Sequence, residues 1–205
     1  MRARARGFAV FALIIACGGC SLSPPQAPAV AQYDFGPAPS GGAAQGLRQS
    51  LLIYDVSAPA WLDSPSIYYR LAYQDAARPQ AYADSRWVTS PAELFAVRLR
   101  GRLAASGKGG VVHPADGTRA SHALRVELDE FTQVFDAPGK SRAVVRLRAS
   151  VLGTRSLIAQ RAFSVEREVS TPDAEGGVRA LIAASDEALD HLVAWTVASL
   201  KDELK

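Results

Sequence analysis

Three consecutive segments of alternating polarity, separated by short turns, place the tightest constraint on the fold of this chain. They cover residues 124–129, 145–151 and 157–168, and in the first two an apolar residue alternates with a charged or polar one. The turns at 136–139 and 153–154 are too short for a crossover, so the segments are predicted to be antiparallel neighbours. Their sheet would have one apolar and one wet face, with opposite charges paired across strands on the wet face.

Residues 90–105 carry the start signal and the spacing of an amphipathic helix. Ser90 is the predicted N-cap, Pro91 occupies the first helical position, and Glu93 completes a capping box. The predicted buried stripe consists of Ala92, Phe95, Leu99 and Leu103. The arginines of this helix are assigned to its solvated side in preference to an anion site; they are Arg98, Arg100 and Arg102.

A second, longer helix is predicted after the helix start at 171–173. Its apolar stripe at helical spacing consists of Val178, Leu181, Ile182, Leu189, Leu192, Val193, Thr196 and Leu200. Further strands are predicted at 51–56 and at 66–74, where the alternation puts Tyr73 on the same face as Ile67. One apolar sheet face and two amphipathic helices predict an α+β fold, a two-layer sandwich of a mainly antiparallel β-sheet with two principal helices.

The N-terminus has the organisation of a secretory signal that ends at a cysteine. Arginines at positions 2, 4 and 6 precede an apolar stretch at 8–16, and small residues lead to Cys20. The stretch is shorter than the roughly 20 residues of a membrane-spanning helix. Small residues before a cysteine resemble the lipobox of bacterial lipoproteins, which implies cleavage before Cys20 and a covalent diacylglycerol and N-acyl chain, such as palmitate, on it. Cys17 is the second choice, and an ordinary signal peptide is the alternative.

The predicted organisation is a signal peptide at 1–19, a tether at 20–48 rich in proline and glycine with a short strand at 33–36, and a single domain at 49–205. Three of the 23 basic residues lie in the signal, so the mature chain has 20 basic and 20 acidic residues. This neutral balance gives no argument for nucleic acid as a partner. Cleavage before Cys20 leaves one cysteine, which excludes an intrachain disulfide.

The sequence shows no arrangement of residues typical of catalysis or metal binding. The histidines lack the spacing of metal ligands and are assigned to the surface or the edge of the core; they are His113, His122 and His191. The glycine-rich stretch 101–110 follows a helix, and Gly109 follows Lys108 where a phosphate loop needs serine or threonine. We therefore predict a protein that is not an enzyme and has no metal or cofactor besides its acyl chains.

Aromatic and charged side chains concentrate between residues 61 and 87. Tyrosine, tryptophan and arginine dominate the binding energy of many protein–protein interfaces. The candidate partner-binding residues are therefore Trp61, Asp63, Tyr68, Arg70, Tyr82 and Trp87. Packing in the core is the alternative, because strand alternation explains part of the cluster.

Several short motifs follow one another along the chain: Trp61-Leu62-Asp63, Tyr69-Arg70-Leu71-Ala72-Tyr73, Tyr82-Ala83-Asp84-Ser85-Arg86-Trp87, Pro91-Ala92-Glu93-Leu94 and Leu124-Arg125-Val126-Glu127-Leu128. Their order and spacing resemble the ABC-type transport auxiliary lipoproteins, the PqiC-like family, from about residue 33 to 200. The resemblance implies a non-enzymatic lipoprotein with an α/β sandwich. It also implies an MCE-type transport system, in which an ABC complex and an MCE-domain protein move lipids between membranes.

The same resemblance implies a location and partners. PqiC-like members resemble docking elements on the periplasmic face of the outer membrane, where they serve lipid transport and envelope integrity. An MCE-domain periplasmic protein is the expected partner. Some members form rings, so a homo-oligomeric ring is an option for this chain as well. An aspartate directly after the acylated cysteine resembles a signal for retention in the inner membrane. This chain has Ser21 at that position, which favours the outer membrane. The alternative is a periplasmic lipid carrier that binds an acyl chain in a groove between sheet and helices.

Overall fold

The computed structural model of the chain describes residues 29–39 and 47–202. Cys17, Cys20 and the predicted signal peptide lie outside the described residues. The strands are β1 (Ala31–Tyr33), β2 (Leu51–Ile53), β3 (Ser66–Leu71), β4 (Pro79–Trp87), β5 (Val111–Val112), β6 (His122–Ala137), β7 (Lys140–Leu152) and β8 (Leu157–Glu168). The helices are α1 (Ala72–Asp75), α2 (Pro91–Ala105) and α3 (Ala174–Asp202), with 3-10 turns at Ala60–Leu62 and Pro114–Asp116.

Strand β6 organises the sheet. It is 16 residues long and pairs antiparallel with β7 along its whole length. Its other edge is divided between two shorter parallel strands: β2 pairs with its beginning, at Ile53 and Leu124, and β3 with its end, at Tyr69 and Gln133. β4 and then β1 follow β3, β5 follows β2, and β8 follows β7. The long ladders are antiparallel and the short ones mostly parallel, so the sheet is mixed.

Both long helices lie on one face of this sheet. α3 packs across β6, β7 and β8, and α2 packs beside it. The four predicted apolar positions of α2 are buried. All eight predicted positions of α3 are buried as well, except Ile182, which is half-buried. Together with the inward residues of the strands they form one contiguous core. The predicted two-layer α+β sandwich with two principal helices is therefore confirmed.

The opposite face of β6, β7 and β8 is wet and charged, as the alternation predicts. Arg148 on β7 lies 3.1 Å from Glu127 on β6, and Arg146 on β7 lies 3.4 Å from Glu166 on β8. Arg142 on β7 also contacts Glu166, at 3.0 Å. Each such exposed pair stabilises the protein little. Their main effect is to favour one register, because a slip by one residue would bury these charges.

The helix boundaries agree with the predicted start signals, with one difference at the first cap. The Ser90 hydroxyl accepts a hydrogen bond from the Glu93 amide at 3.4 Å, as an N-cap does. The Glu93 carboxylate accepts from the Thr89 hydroxyl instead of completing the capping box. At the start of α3, the Asp173 carboxylate accepts from the Gly176 amide at 2.7 Å. Both helices therefore begin at side-chain caps that the sequence displays.

Two strand predictions in the first half of the domain need correction. β3 ends at Leu71 and α1 follows it, so Tyr73 leaves the predicted strand face and is 41% exposed. β4, at Pro79–Trp87, was not predicted. Its residues are mostly polar or small and half-buried or exposed, so they show no apolar alternation. β4 is instead held by pairing with a strand on each edge, β3 and β1.

Part of the predicted tether belongs to the sheet. β1, at Ala31–Tyr33, pairs parallel with β4, and the predicted short strand at 33–36 overlaps only its last residue. Phe35 is buried against Trp87 and Phe131, with ring centroids 5.8 and 6.1 Å away. Leu47 is also buried. These contacts are long-range, which is why the proline- and glycine-rich composition around them did not indicate them.

A close approach between α3 and β6 depends on the absence of a side chain at Gly177. A Cβ atom there would lie 2.1 Å from Oε1 of Gln133. Gln133 is fully buried, accepts from the Tyr82 hydroxyl at 2.8 Å and donates to the Ser141 hydroxyl at 2.8 Å. It cannot withdraw without breaking these hydrogen bonds, so Gly177 sets how closely the helix packs on the sheet.

We expect Gly177→Ala to lower the free energy of unfolding by about 1–3 kcal/mol, because the added methyl group overpacks a locked site. Gly101→Ala in α2 is the matched control, since a Cβ there meets nothing within 4 Å. That substitution should raise the free energy of unfolding by about 0.5–1 kcal/mol through helix propensity. Urea denaturation followed by circular dichroism measures both. Equal effects of the two substitutions would contradict the close approach at Gly177.

Candidate functional site

Three of the predicted partner-binding residues meet on the sheet face opposite to the helices. Tyr68 and Arg70 are two apart on β3 and therefore point to the same face. Trp61, in the 3-10 turn before β3, lies edge-on to Tyr68 with ring centroids 5.3 Å apart. The Arg70 guanidinium lies 5.1 Å from the centroid of the Trp61 ring. We call these three residues, with Glu130 on β6, the Trp61 cluster.

Arg70 holds the Trp61 cluster together through its guanidinium. Its Nε donates to Oε1 of Glu130 at 3.2 Å, and its Nη1 donates to the carbonyls of Ala76 and Ala77, both at 3.3 Å. The Arg70 and Glu130 side chains are 17% and 19% exposed. Because both side chains are partly buried, this ion pair is stronger than a surface salt bridge. It holds the guanidinium against the ring of Trp61, which limits the orientations of that ring. The cluster is thus a rigid, partly exposed aromatic and charged surface.

Asp63 and Ser64 follow Trp61 at the border of the cluster. Asp63 is exposed in the turn that leads to β3. The Ser64 hydroxyl lies 3.3 Å from the hydroxyl of Tyr68, which fixes the polar end of that ring. Asp63 therefore adds an accessible negative charge beside the cluster.

The remaining two predicted residues lie elsewhere. Trp87 is 1% exposed and packs against Phe35 and Phe131 in the core, so it is not accessible to a partner. Tyr82 lies on the helix side of the sheet, with its ring 4.6 Å from that of Tyr69. Burial raises the pKa of the Tyr82 hydroxyl, with a further contribution from Tyr69. For Trp87 the core interpretation is therefore correct, and Tyr82 is a packing residue.

A buried ionic network between α2 and α3 corrects the assignment of the α2 arginines to solvent. Arg98 is 7% exposed, and its guanidinium donates to the carbonyls of Pro37 and Gly36, both at 3.1 Å, and to that of Phe35. Arg102 donates to Asp186 at 2.7 Å and also contacts Asp190. Arg100 is half-buried.

The sequence contains a signal for this network that sequence reasoning missed. Arg98 and Arg102 are four residues apart, and so are Asp186 and Asp190. Side chains at that spacing share one face of a helix. A pair of arginines on one helix and a pair of aspartates on the other, both at this spacing, can form two ion pairs when the helices pack side by side.

A groove of about 620 Å³ lies between α2 and residues 34–39, beside the network. Its lining is mostly apolar and consists of Asp34, Phe35, Gly36, Ala38, Pro39, Leu94, Val97, Arg98, Gly101, Arg102 and Ala105. Val97 is 58% exposed at its border. The groove is not the predicted one between sheet and helices, because core side chains fill that interface.

The histidines have local roles. Nδ1 of His113 accepts from the Ala115 amide at 3.2 Å, and its Nε2 lies 3.0 Å from Asp55. His191 is exposed on α3, and His122 is half-buried at the start of β6. Within residues 29–39 and 47–202, no three histidine, cysteine or acidic residues are grouped so that they could hold a metal ion. In the same part of the chain, no helix is long and apolar enough to cross a membrane.

The family profile of the ABC-type transport auxiliary lipoprotein component matches residues 33–194. The chain belongs to this family. The resemblance found from about residue 33 to 200 is thereby confirmed, and the auxiliary lipoprotein is a component of an ABC transport system. Membership also indicates anchoring by lipid, and the family is not a known enzyme family. It indicates no cofactor.

Two solved structures share the fold of this auxiliary lipoprotein. Protein XCC0632 from Xanthomonas campestris, of the DUF330 family, aligns with a TM-score of 0.72 and 20% identity over 82% of this chain and 94% of that one. An uncharacterised protein aligns with a TM-score of 0.63 and 14% identity over 80% of this chain and 97% of that one. At these identities the likeness shows the fold alone. No curated protein matches the chain significantly.

We expect Arg98→Gln to release residues 34–39 of the auxiliary lipoprotein from α2, because three backbone carbonyls lose their donor. The free energy of unfolding should fall by roughly 3 kcal/mol, as for the loss of one partner in a buried ionic network. Hydrogen–deuterium exchange should accelerate at residues 31–39. Arg100→Gln is the control and should change neither quantity. Unchanged exchange at 31–39 in Arg98→Gln would contradict the anchoring role.

Proposed function

We propose that this auxiliary lipoprotein docks an MCE-domain protein of its ABC transport system at the periplasmic face of the outer membrane, without catalysing a reaction. Family membership across residues 33–194 carries the proposal. The transport system would move lipid between membranes and maintain the envelope. A homo-oligomeric ring of the lipoprotein around the end of the MCE protein is part of the same proposal.

The Trp61 cluster supports a docking role. It contains three of the residues predicted to bind a partner, and they form an aromatic and cationic surface whose side chains are already held in place. Trp61 and Tyr68 are half-buried, and Arg70 is held in place by Glu130. An arginine and aromatic rings whose orientation is already set lose little conformational entropy when a partner binds. Asp63 adds a charge at the border. We therefore propose Trp61, Asp63, Tyr68 and Arg70 as the contact residues.

The proposed membrane anchor is the acylated Cys20. Ten residues lie between it and the first residue of β1, Ala31, so eleven residue steps join the two. A chain of that length reaches at most about 40 Å. β1 would then lie within that distance of the membrane surface, and several buried acyl chains would hold it firmly there. Arg98 binds the chain just beyond β1, so the pull of the anchor would be transmitted to α2.

A periplasmic lipid carrier is the second candidate function, and the groove beside α2 favours it. Its volume of about 620 Å³ falls in the range of small-molecule sites, and its lining is mostly apolar. An acyl chain would lie between Val97 and residues 34–39. Phospholipid that stays bound after mild extraction of the protein would favour this function over docking alone.

We expect the double substitution Trp61→Ala and Arg70→Gln to weaken recovery of the MCE-domain protein at least tenfold, because it removes the aromatic and cationic contacts of the cluster. Cross-linking of the envelope, affinity purification and quantitative mass spectrometry provide the measurement. Tyr73→Ala is the control, since Tyr73 is exposed outside the cluster. Unchanged recovery from the double variant, with an unchanged melting temperature, would reject the contact residues. Absence of the MCE protein from the unsubstituted bait would reject the docking function.

Cys20→Ser should abolish lipid attachment and release the protein from the membrane fraction, because the modified thiol is lost. Labelling of cells with an alkyne analogue of palmitate, followed by fractionation, measures both effects. Cys17→Ser is the matched control and should keep label and location. The reverse pattern would assign the anchor to Cys17, and label on neither would reject the lipoprotein anchor.

A further inference from the structure

β8 is a long strand with only one neighbour among the described residues. It is 12 residues long, from Leu157 to Glu168, and it pairs with β7. In an antiparallel ladder, alternate residues direct both backbone groups towards the neighbour and the others direct them away. β8 therefore presents a row of N–H and C=O groups on its free side.

The other ends of the sheet are protected in ways that β8 is not. β1 has three residues and covers only the end of β4, and the uncovered part of β4 begins with Pro79. β5 has two residues, and Pro114 closely follows it. Short edges and proline limit pairing with another chain. β8 contains neither proline nor glycine, and its register shift lies at the end next to Leu157. The free edge of β8 is thus long and regular enough to take another strand.

The charges on the wet face predict the side chains that such a strand carries. β6 presents carboxylates, Glu127 and Asp129, and β7 presents arginines that pair with them and with Glu166 of β8. The sign of charge therefore alternates from strand to strand. β8 ends the series with Glu166 and Glu168. A strand added beyond β8 would continue the alternation with basic residues on this face.

The helix side of the same edge has an apolar centre between two arginines of β8. The Arg161 guanidinium lies 5.2 Å from the centroid of the Phe163 ring, and Arg167 pairs with Glu187 of α3 at 2.5 Å. Phe163 and Val165 are buried beneath α3, and Trp195 of α3 lies edge-on to Phe163, with ring centroids 5.7 Å apart. Trp195 is half-buried, so part of its ring remains accessible beside β8. Apolar side chains of an added strand would cover that part.

We propose that the free edge of β8 binds an extended segment of a partner protein, in which apolar residues alternate with lysine or arginine. The added segment would pair its backbone with β8, place its basic side chains beside Glu166 and Glu168, and place its apolar ones against Trp195. A second copy of β8 fits less well, because it would bring the same acidic residues to that face. The inference does not depend on which transport partner binds the Trp61 cluster.

A fluorescein-labelled peptide of eleven residues, alternating valine with arginine, tests the proposal on the full-length protein purified in detergent. Fluorescence anisotropy measures its affinity, and hydrogen–deuterium exchange locates it. The peptide should bind and slow the exchange of amides in residues 157–168. Methylation of alternate backbone nitrogens in the peptide should weaken binding at least tenfold, because these donors no longer pair with β8.

Two protein variants separate strand pairing from unspecific attraction of charge. Ser164→Lys with Glu168→Lys puts like charges on the wet side of β8 and should weaken binding at least tenfold. Asp84→Lys, at an exposed position of β4, is the control and should bind the peptide as the unsubstituted protein does. Three results would overturn the proposal. The methylated peptide could bind as tightly as the unmethylated one, or the peptide could slow amide exchange outside residues 157–168. The third is slow exchange at 157–168 in the protein without peptide, caused by self-association.

Discussion

Strand β6 needs a hydrogen-bonding partner on both edges, and the position of the other strands follows from this requirement. Buried backbone N–H and C=O groups that lack a partner cost too much free energy for a central strand to leave them open. β7 satisfies one edge throughout. On the other edge, Ser57 bridges the gap between β2 and β3: its amide donates to the Val126 carbonyl at 3.1 Å, and its carbonyl accepts from the Leu128 amide at 2.8 Å. One strand thus joins the two halves of the sheet.

Two buried polar side chains then fix the layers that cover this sheet. Gln133 on β6 connects Tyr82 and Ser141 beneath the first turn of α3, where Gly177 leaves room for it. Arg98 on α2 holds the carbonyls of residues 35–37 and brings the N-terminal segment into the fold. Apolar burial supplies most of the stabilisation, and these hydrogen-bonded groups select one arrangement of the layers.

The strand order separates the surfaces that carry the proposals. The Trp61 cluster lies on β3 and β6, the free edge of β8 lies at the far side of β7, and the groove runs along α2 on the helix side. Because they share no residues, one surface can be altered while the others remain intact. The proposed docking at the Trp61 cluster and the proposed strand addition at β8 therefore make separate demands on the fold.

How much the sequence determined depends on whether a signal is local. The alternation of 124–129, 145–151 and 157–168, the caps at Ser90 and Asp173 and the apolar stripes of both helices are local patterns, and they predicted the antiparallel core, both helices and the α+β class. The sequence also identified Trp61, Tyr68 and Arg70 as a candidate surface. Tertiary structure alone decided that Trp87 is buried, that β1 and β4 pair, and that Arg98 points inward, because these outcomes depend on residues distant in the chain. The four-residue spacing of Arg98 and Arg102 matches that of Asp186 and Asp190, but the sequence does not show which helices are neighbours. Only the packing of α3 beside α2 brings Asp186 to 3.8 Å from Arg98.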